Sequence, residues 1–414
     1  MDKVKTRDTC RLCNSREIDL IYKMPASPPV DNFRLVGDLE ISLPKFPMDL
    51  YMCRACGHAQ LLDVVDPEIL YGNYIYTSSS STDLDRHFSA YAKQAVDFFK
   101  LQPKAKVLDV GSNDGLLLSK FKNLDLTVYG IDPSSYVASK AAEKGIDTLV
   151  AFLNKNSVKK LIADFQSFDL VTANNVFSHA DNLREFAECV FDVMSDTGAF
   201  IFEVSYLKDL VDNLVIDYVY HEHLCHHSIK PLKQFLASCG MKLINVERIN
   251  TKGGSIRCYA VKSTNPVAAE PIVEQMIADE VASGLYKLST YQALKSKIDA
   301  IAGELQVLLK NAVAKGGSVA TYGASATSTV LNALLQIDPL VSFIVDDNAL
   351  RQNRLSPGYM VPVLSSEALA KYQPACVVIS AWRFADEIVK HNQKYLSAGG
   401  RFIVPLPELR EITK

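Results

Sequence analysis

Four cysteines near the start of the chain are spaced as metal ligands. Cys10-x-x-Cys13 and Cys53-x-x-Cys56 are two pairs whose spacing lets both sulfurs of each pair point at one ion. Four thiolates predict a tetrahedral zinc site with no open coordination position, so the metal would be structural. The open alternative is a set of free or redox-active thiols. The other cysteines lack such spacing and are expected to fill apolar space: Cys189, Cys225, Cys239, Cys258 and Cys376.

A second reactive stretch, DYVYHEHLCHHS (residues 217–228), holds four of the eight histidines. On a loop after a sheet it would point His223, Glu222 and Tyr220 into a cleft. These side chains supply a base near neutral pH, a carboxylate that sets its tautomer and a phenol donor. His179, in NNVFSHADNL, is expected to reach the same cleft. The competing hypothesis is a metal site, formed by His221 with His223 or by His226 with His227, but no carboxylate pattern completes it.

The segment VLDVGSNDG (residues 107–115) is an apolar strand that enters a Gly-x-x-x-Gly turn and then a helix. Acidic residues in this turn would repel a pyrophosphate but suit the amino group and sulfonium of S-adenosylmethionine. Asp132, about 20 residues later at the end of the next strand, is placed to accept ribose hydroxyls. The alternative is an ordinary turn with a helix-capping aspartate. The residues expected to bind this cofactor are Asp109, Gly111, Asn113, Asp114, Gly115, Asp132, Phe152, Asn174 and Asn175, with the adenine pocket lined by Phe152 and 174–177.

The elements that must position these residues follow a β/α alternation. Short β-branched runs alternate with amphipathic segments from about residue 106, which predicts a mostly parallel sheet flanked by helices. A charged helical stretch at about 266–315 is expected to be a linker with packing helices that separates this globule from a second, smaller doubly wound domain. We therefore predict an α/β protein with three domains, 1–72, 73–265 and 266–414. The first is too polar and interrupted for a large core of its own, so metal must hold it.

The composition gives no indication of a nucleic-acid or membrane partner. The 414 residues include 44 basic and 47 acidic side chains, and a net charge of −3 gives no field that would attract nucleic acid or anionic lipid. The N-terminus lacks the apolar core of a secretory signal, and no run of about 18 apolar residues could cross a bilayer. We expect a cytoplasmic protein with no nucleic-acid or membrane partner, and the oligomeric state stays open.

Together these motifs give the chain a family resemblance. It resembles the sugar C-methyltransferases that make branched deoxy sugars, such as 3-C-methyltransferases acting on dTDP-linked 4-keto sugars. The resemblance covers nearly the whole chain. It rests on the paired cysteines, YGNYIYTSSS, VLDVGSNDG, NNVFSHADNL, YVYHEHL, GGSIR, YGAS, VDD followed by PG, AWRFADEI and GGRFIVPLPE.

The resemblance implies a small zinc-binding domain, a central Rossmann-like class I methyltransferase domain and a C-terminal Rossmann-like domain that helps to bind the nucleotide-sugar. It also implies a base at His223, with Tyr220, Glu222 and His179 beside it. A tyrosine is expected from the segment that holds Tyr74 and Tyr76. The implied reaction is transfer of a methyl group from S-adenosylmethionine to the carbon next to the ketone, C3 of the sugar.

The chain departs from the family pattern at two places. GASATS stands where GASAKG is expected, so that Thr327 and Ser328 replace a lysine and a glycine, and His226 and His227 replace an aromatic pair. The alternatives are an O- or N-methyltransferase, a zinc-headed RNA methyltransferase that would lack the usual basic stripe, and a non-catalytic or redox protein. Polar candidates for the nucleotide end are Arg257, Tyr322, Ser325, Arg351, Arg354 and Arg383.

Overall fold

The computed structural model of the chain describes residues 3–37, 44–71, 77–80 and 82–414. Its first region consists of short strands and one short helix. They are β1 (Val4–Thr6), β2 (Ile18–Tyr22), β3 (Arg34–Leu35), β4 (Leu50–Cys53), β5 (Ala59–Leu61), β6 (Asp63–Val65) and α1 (Pro67–Tyr71). Strands β2, β4 and β5 pair antiparallel, and the turn between β4 and β5 carries the second cysteine pair.

The central region contains a seven-stranded sheet covered by helices. Its elements are α2 (Thr82–Phe99), β7 (Lys106–Val110), α3 (Leu116–Lys122), β8 (Thr127–Asp132), α4 (Ser135–Glu143), β9 (Thr148–Val150), α5 (Lys155–Phe165), β10 (Phe168–Asn174), α6 (Leu183–Val193), β11 (Met194–Ser205), α7 (Leu207–Asp212), β12 (Cys225–His226), α8 (Ile229–Ser238), β13 (Met241–Ile249) and β14 (Ser255–Lys262). The sheet order is β13-β14-β11-β10-β7-β8-β9. Strand β14 runs antiparallel to both neighbours, and the other pairings are parallel.

The strand order reverses direction at β7. The chain adds β8 and β9 on one side of β7 and then crosses to add β10 and β11 on the other. In open sheets of this kind, a ligand binds outside the carboxyl ends of the strands at the reversal point. The glycine turn that follows β7 therefore lies where a cofactor is expected.

The third region begins with two helices and continues as a second α/β layer. Its elements are α9 (Pro271–Ala282), α10 (Leu288–Ala314), β15 (Val319–Tyr322), α11 (Ala326–Leu335), β16 (Phe343–Val345), β17 (Arg354–Leu355), β18 (Pro362–Leu364), α12 (Glu367–Tyr372), β19 (Cys376–Ile379), α13 (Ala385–His391), α14 (Gln393–Ser397), β20 (Phe402–Val404) and β21 (Arg410–Ile412). The sheet order is β21-β20-β19-β15-β16-β18-β17-β3.

Two strands pair with the sheet of a different region from the one to which they belong in sequence. Strand β3 pairs with β17 at the edge of the C-terminal sheet, although it belongs to the cysteine-containing region. Strand β12, from the histidine-rich stretch, pairs with β5 in the cysteine-containing sheet. These exchanges tie all three regions together.

The apolar core is also shared. Buried side chains of the first region, including Met48 and Leu50, belong to the same cluster as the central sheet and helix α10. Helix α10 buries a stripe at helical spacing and packs against β2 and α11: Tyr291, Leu294, Ile298, Ile301, Leu305 and Leu309. The expectation that metal rather than burial holds the first region is therefore wrong, because burial also holds it. Helix α10 lies in the stretch expected to contain packing helices, and its packing joins the regions.

The α/β class is confirmed. The runs KVLDV, TVYGID and FDLVTAN form the parallel strands β7, β8 and β10, and the second alternation forms the C-terminal sheet. Within the described part of the chain, every helix is too short or too polar to pass through a lipid bilayer.

Candidate active site and metal centre

The four N-terminal cysteines converge on one point. The Sγ atoms of Cys10 and Cys56 are 3.7 Å apart, those of Cys13 and Cys53 are 3.5 Å apart, and all four lie within 4.8 Å of one another. A tetrahedral ion with Zn–S bonds of about 2.3 Å holds its sulfurs about 3.8 Å apart. The four cysteines therefore fit a structural zinc ion. Among the residues that the structure describes, they are the one set of three or more metal-binding side chains so close together.

A large cavity lies at the carboxyl ends of β7, β8 and β10. Its volume is about 1510 Å³, and its walls come from all three regions. Eleven of the predicted site residues line it: Asp109, Gly111, Asn113, Asp132, Phe152, Asn174, Asn175, His179, Tyr220, Glu222 and His223. Asp114 and Gly115 are not on its wall. Tyr74 and Tyr76 lie outside the described residues.

The turn after β7 is shaped by its glycine and by a buried carboxylate. Gly111 has φ +69°, and a Cβ there would lie 2.3 Å from Val176 Cγ2, so the turn requires glycine. The backbone N–H groups of Asn113 and Ser134 donate to the two carboxylate oxygens of Asp132, at 3.0 and 2.9 Å. Asp132 is thus fixed at the cavity wall with lone pairs left to accept further hydrogen bonds. This arrangement fits the ribose and the cationic end of S-adenosylmethionine.

Asp109 and Asp114 have different surroundings, although both are buried. Burial raises the pKa of Asp109 to about 7, against the hydrogen bond that it accepts from Thr172 Oγ1 at 2.6 Å. Asp114 pairs with Lys144 at 3.0 Å and accepts from the backbone N–H of Ser79. Asp109 lies on the cavity wall, whereas Asp114 is not on it and is held by Lys144 and the Ser79 N–H. Gly115 begins helix α3 in the left-handed region.

His223 has one ring nitrogen committed to the backbone. Its Nδ1 donates to the carbonyl oxygen of Tyr218 at 2.8 Å, which leaves Nε2 as the nitrogen that can accept a proton. The pKa of His223 is lowered to about 4, mainly by burial and also by the charge of Lys252, while the Tyr218 hydrogen bond opposes this shift. The ring lies beside Tyr220 and His179, with centroids 4.1 and 5.2 Å away. At neutral pH this imidazole is uncharged.

Glu222 does not set the tautomer of His223, and the sequence prediction on this point is wrong. The backbone carbonyl of Tyr218 occupies the position that the carboxylate was expected to fill. Burial raises the pKa of Glu222 to about 8, and the charge of Asp31 adds to this effect, while Lys252 opposes it. Glu222 consequently holds a proton through much of the neutral range and can donate a hydrogen bond into the cavity.

The other histidines of this stretch are buried, and His221 is the one of them that reaches the cavity wall. His221 Nε2 bonds the carbonyl oxygen of Phe46 at 3.1 Å, while His226 and His227 are buried. The ring of His227 stacks on Phe177 at 5.4 Å, and Phe177 is itself fully buried, so it does not line the adenine pocket as predicted. These positions do not form the metal site considered as an alternative.

The C-terminal region supplies one wall of the cavity. Ser325 and Thr327 at the start of α11 line it, together with Arg351 and Arg383. Arg383 donates to both carboxylate oxygens of the buried Asp217, at 2.9 and 3.1 Å, and to Thr327 Oγ1 at 3.2 Å. The start of α11 is thereby linked to the stretch that carries His223.

Three of the polar candidates have other partners. Arg257 is buried against Glu203 with its guanidinium 4.1 Å from the ring centroid of Tyr91, so it belongs to the core. Tyr322 donates to Asp347, and Arg354 lies in strand β17, between β18 and the edge strand β3. Neither of these two lines the cavity.

Lys252 and Asp31 are among the cavity residues that sequence reasoning missed. Lys252 immediately precedes the two glycines of GGSIR, and its own φ of +55° is a left-handed conformation that non-glycine residues rarely adopt. The glycine pair was a signal for a constrained loop, but nothing in its spacing predicts which cavity wall the loop forms.

Comparison with known proteins agrees with this three-part organisation. A family model described as a zinc binding domain matches residues 10–71, a methyltransferase domain matches 84–246, and a C-methyltransferase C-terminal domain matches 250–407. The chain is 29% identical to C-methyltransferase NovU of Streptomyces niveus over 415 aligned positions, which cover 100% of this chain and 98% of that protein. The chain is a C-methyltransferase. Its methyl donor is S-adenosylmethionine, and its four-cysteine domain is the zinc-binding domain of this family.

Other similarities are local. The mitochondrial ubiquinone biosynthesis O-methyltransferase of Rattus norvegicus is 30% identical over 99 residues, which cover 23% of this chain and 29% of that protein. Magnesium protoporphyrin IX methyltransferase of Synechocystis, solved with bound SAM, aligns at a TM-score of 0.34 and 15% identity, covering 47% of this chain and 89% of that one. Each of these two similarities covers less than half of this chain.

Proposed function

We propose that this C-methyltransferase acts on the carbon next to the ketone of a nucleotide-linked 4-keto-deoxysugar, at C3. The observation that carries the proposal is the state of His223. It is an uncharged imidazole with Nδ1 bound to the Tyr218 carbonyl, and it lines a cavity that also contains the cofactor turn. A base of this kind is required for attack by carbon, because the carbon must first lose a proton.

The ketone makes the neighbouring C–H acidic, since its oxygen receives the electrons when the proton leaves. His223 Nε2 takes the proton, and the Tyr218 carbonyl stabilises the imidazolium that results through the Nδ1 hydrogen bond. General-base catalysis of this type typically contributes about 10²- to 10⁴-fold in rate. The low pKa of His223 keeps the base unprotonated at neutral pH but makes it a weak base. The enzyme must therefore stabilise the enolate strongly.

His179 and Tyr220 are placed to assist. The Nε2 atom of His179 is buried and has no hydrogen-bond partner among the described residues, and burial holds the pKa of His179 well below its usual range. The ring centroids of His179 and Tyr220 lie 5.2 and 4.1 Å from that of His223. As preorganised donors to the carbonyl oxygen, each would be worth about 2.7 to 4 kcal/mol of barrier.

The cofactor side of the cavity is formed by Asp132, Asn113 and the Gly111 turn. S-adenosylmethionine bound there supplies the electrophilic methyl group. Phe152 and Asn174 line the cavity beyond the turn, where an apolar ring edge and an amide suit a purine. The protein's contribution is to hold both ligands in one enclosed space, which removes much of the entropic cost of bringing them together.

The nucleotide end of the substrate is proposed to lie against the C-terminal wall. The first turn of α11 presents backbone N–H groups near Ser325 and Thr327, and Arg351 adds a positive charge. These N–H groups and Arg351 would take the role of the lysine that the family resemblance implies at position 327. The protein is proposed to act in the cytoplasm, where thiols stay reduced and available as zinc ligands.

The test is methyl transfer from isotopically labelled S-adenosylmethionine to a panel of dTDP- and UDP-linked sugars, with and without a 4-ketone. Product analysis by NMR should find the label on C3 of a 4-keto sugar. A label on oxygen or nitrogen, or equal reaction with sugars that lack the ketone, would replace the proposal with an O- or N-methyltransferase. The cofactor site would be unaffected by that outcome.

A further inference from the structure

Lys252 is a charged side chain on the cavity wall that the proposed chemistry does not yet use. It lines the same cavity as His223, Glu222 and His179. No hydrogen bond or ion pair joins it to another residue in the part of the chain that the structure describes. A lysine held in a cavity without a partner has its donors available for a ligand.

The loop that carries Lys252 is closely packed against its neighbours. Lys252 has φ +55°, and Gly253 and Gly254 follow at +85° and +127°. A Cβ at Gly254 would lie 2.4 Å from Asp209 Cβ, and one at Gly253 would lie 2.8 Å from Val215 Cγ1, so both glycines are needed for the loop to pack. A left-handed non-glycine residue next to two close-packed glycines is costly, and such strain is typical of functional sites.

The charge of Lys252 acts on the residues around the proposed base. After burial and the Tyr218 hydrogen bond, it is the next influence on the pKa of His223, and it also lowers the pKa values of His179 and Glu222. Burial by the surrounding protein lowers the pKa of Lys252 itself to about 8, opposed by the charges of Glu203 and Glu222. The amine is therefore mostly protonated at neutral pH.

Three cationic side chains that line the cavity differ in the residues near which they lie: Arg351, Arg383 and Lys252. Arg351 pairs with Asp346 and acts on Asp31, and Arg383 is committed to Asp217. Both belong to the C-terminal wall. Lys252 lines the cavity together with His223 and His179, and its charge lowers the pKa of each of these two imidazoles. It is thus the cation placed to compensate negative charge that develops beside the base.

We propose, on the basis of the function given above, that Lys252 is a further catalytic residue whose ammonium group hydrogen-bonds the substrate carbonyl oxygen as it becomes the enolate oxygen. The C3–H bond breaks and its proton goes to His223 Nε2. The electron pair forms the C3–C4 double bond, and the carbonyl π electrons move to the oxygen that Lys252 contacts. Charge is conserved, because the imidazolium and the enolate form together and Lys252 keeps its proton.

This arrangement explains how a weak base can remove a proton from carbon. A cation beside the oxygen stabilises the enolate most in an enclosed, poorly hydrated site. The same cation lowers the pKa of His223, which would hinder the reaction unless the gain at the oxygen were larger. Contact between the ammonium group and the oxygen that gains charge would supply that larger gain.

The test compares Lys252→Met, Lys252→Arg and the wild type, with Lys310→Met as a control on the exposed face of α10. The rate of deuterium exchange into C3 is measured in D₂O, with S-adenosylhomocysteine bound, on the 4-keto sugars of the panel. The affinities for dTDP and S-adenosylhomocysteine are measured by calorimetry. We expect Lys252→Met to slow exchange at saturating sugar by about 10²-fold or more and to leave both affinities within a factor of three. Lys252→Arg should restore part of the rate.

The possible results distinguish failure of the role proposed for Lys252 from failure of the proposed C3-methyltransferase function. Unchanged exchange in Lys252→Met with weaker dTDP binding would assign Lys252 to the diphosphate and overturn the inference alone. If the wild type exchanges no C3 hydrogen on any 4-keto sugar, the proposed function fails and the inference fails with it. Loss of S-adenosylhomocysteine binding in Lys252→Met would show a structural role and would also overturn the inference.

Discussion

His226 pairs with Ala59 in an antiparallel register that adds the histidine-rich stretch to the zinc-binding sheet. The adjacent bond from the Leu61 N–H to the Leu224 carbonyl, at 2.9 Å, brings the attachment next to His223. Ala59 follows the zinc ligand Cys56 by three residues. The fold of the metal centre therefore determines where the proposed base lies.

Removal of zinc should consequently displace His223 while the cofactor site stays intact. We expect Cys56→Ser to lose the bound zinc and methyl transfer, because strand β5 no longer holds β12 in register. S-adenosylmethionine binding should persist, since Asp132 and the Gly111 turn belong to a different sheet. Hydrogen–deuterium exchange across 220–228, read by mass spectrometry, should rise. Cys239→Ser is the control, and full protection of 220–228 in zinc-free Cys56→Ser would contradict the coupling.

The Asp217–Arg383 pair should be important for both stability and activity. Asp217 is buried, and it holds Arg383 against the ring of Tyr218, whose carbonyl fixes His223. Removing one partner of a buried ion pair typically costs about 3 to 5 kcal/mol. Asp217→Ala should lower the free energy of urea unfolding by that order, whereas Asp196→Ala at the exposed pair with Lys262 should change it by less than about 1 kcal/mol. Equal effects of the two substitutions would contradict this role.

Buried histidines should make the protein sensitive to acid. Burial lowers the pKa of His227 to about 3, while an unfolded histidine titrates near about 6.5. Because the unfolded chain then binds a proton that the folded chain does not, stability is lost as pH falls from about 6.5 toward 3.

At pH 5, the gap of about 1.5 pH units from the unfolded value corresponds to about 2 kcal/mol for this residue. His227→Phe should remove this contribution, so the loss of unfolding free energy between pH 7 and pH 5 should shrink by about 2 kcal/mol. His391→Gln, at an exposed position, serves as the control. An identical pH dependence in His227→Phe and the wild type would show that His227 is not the group responsible.

Asp132 should determine cofactor affinity. Its carboxylate is oriented by two backbone N–H groups, and a hydrogen bond to a charged group contributes about 1.5 to 3 kcal/mol. Asp132→Ala should weaken S-adenosylmethionine binding about 10- to 100-fold by calorimetry with the zinc content unchanged. Asp147→Ala, at an exposed carboxylate beyond α4, should bind normally. Normal affinity in Asp132→Ala would place the ribose elsewhere.

The features that sequence predicts here are local ones. The zinc ligands follow from two spacings, and the turn at Gly111 with Asp132 follows from the pattern of one βαβ unit. The α/β order of both sheets follows from hydrophobic alternation in the same way. Each of these depends on residues that are neighbours in the chain.

The features that sequence does not predict depend on distant contacts. Nothing in the stretch around His226 indicates that it joins the zinc-binding sheet, and a backbone carbonyl, as at Tyr218, has no sequence signature. Arg257 looks like a surface cation until its buried partner Glu203 is known. The sequence predicts packing helices at 266–315, but not that α10 packs against β2 and α11 in a shared core.

The most direct test of the central claim is deuterium exchange from D₂O into the carbon next to the ketone, measured by NMR on a 4-keto sugar with S-adenosylhomocysteine bound. The wild type should incorporate deuterium at C3, and His223→Gln should slow this about 10²- to 10⁴-fold while it binds S-adenosylhomocysteine normally. Exchange in His223→Gln at the wild-type rate would contradict the assignment of His223 as the base that makes carbon the nucleophile.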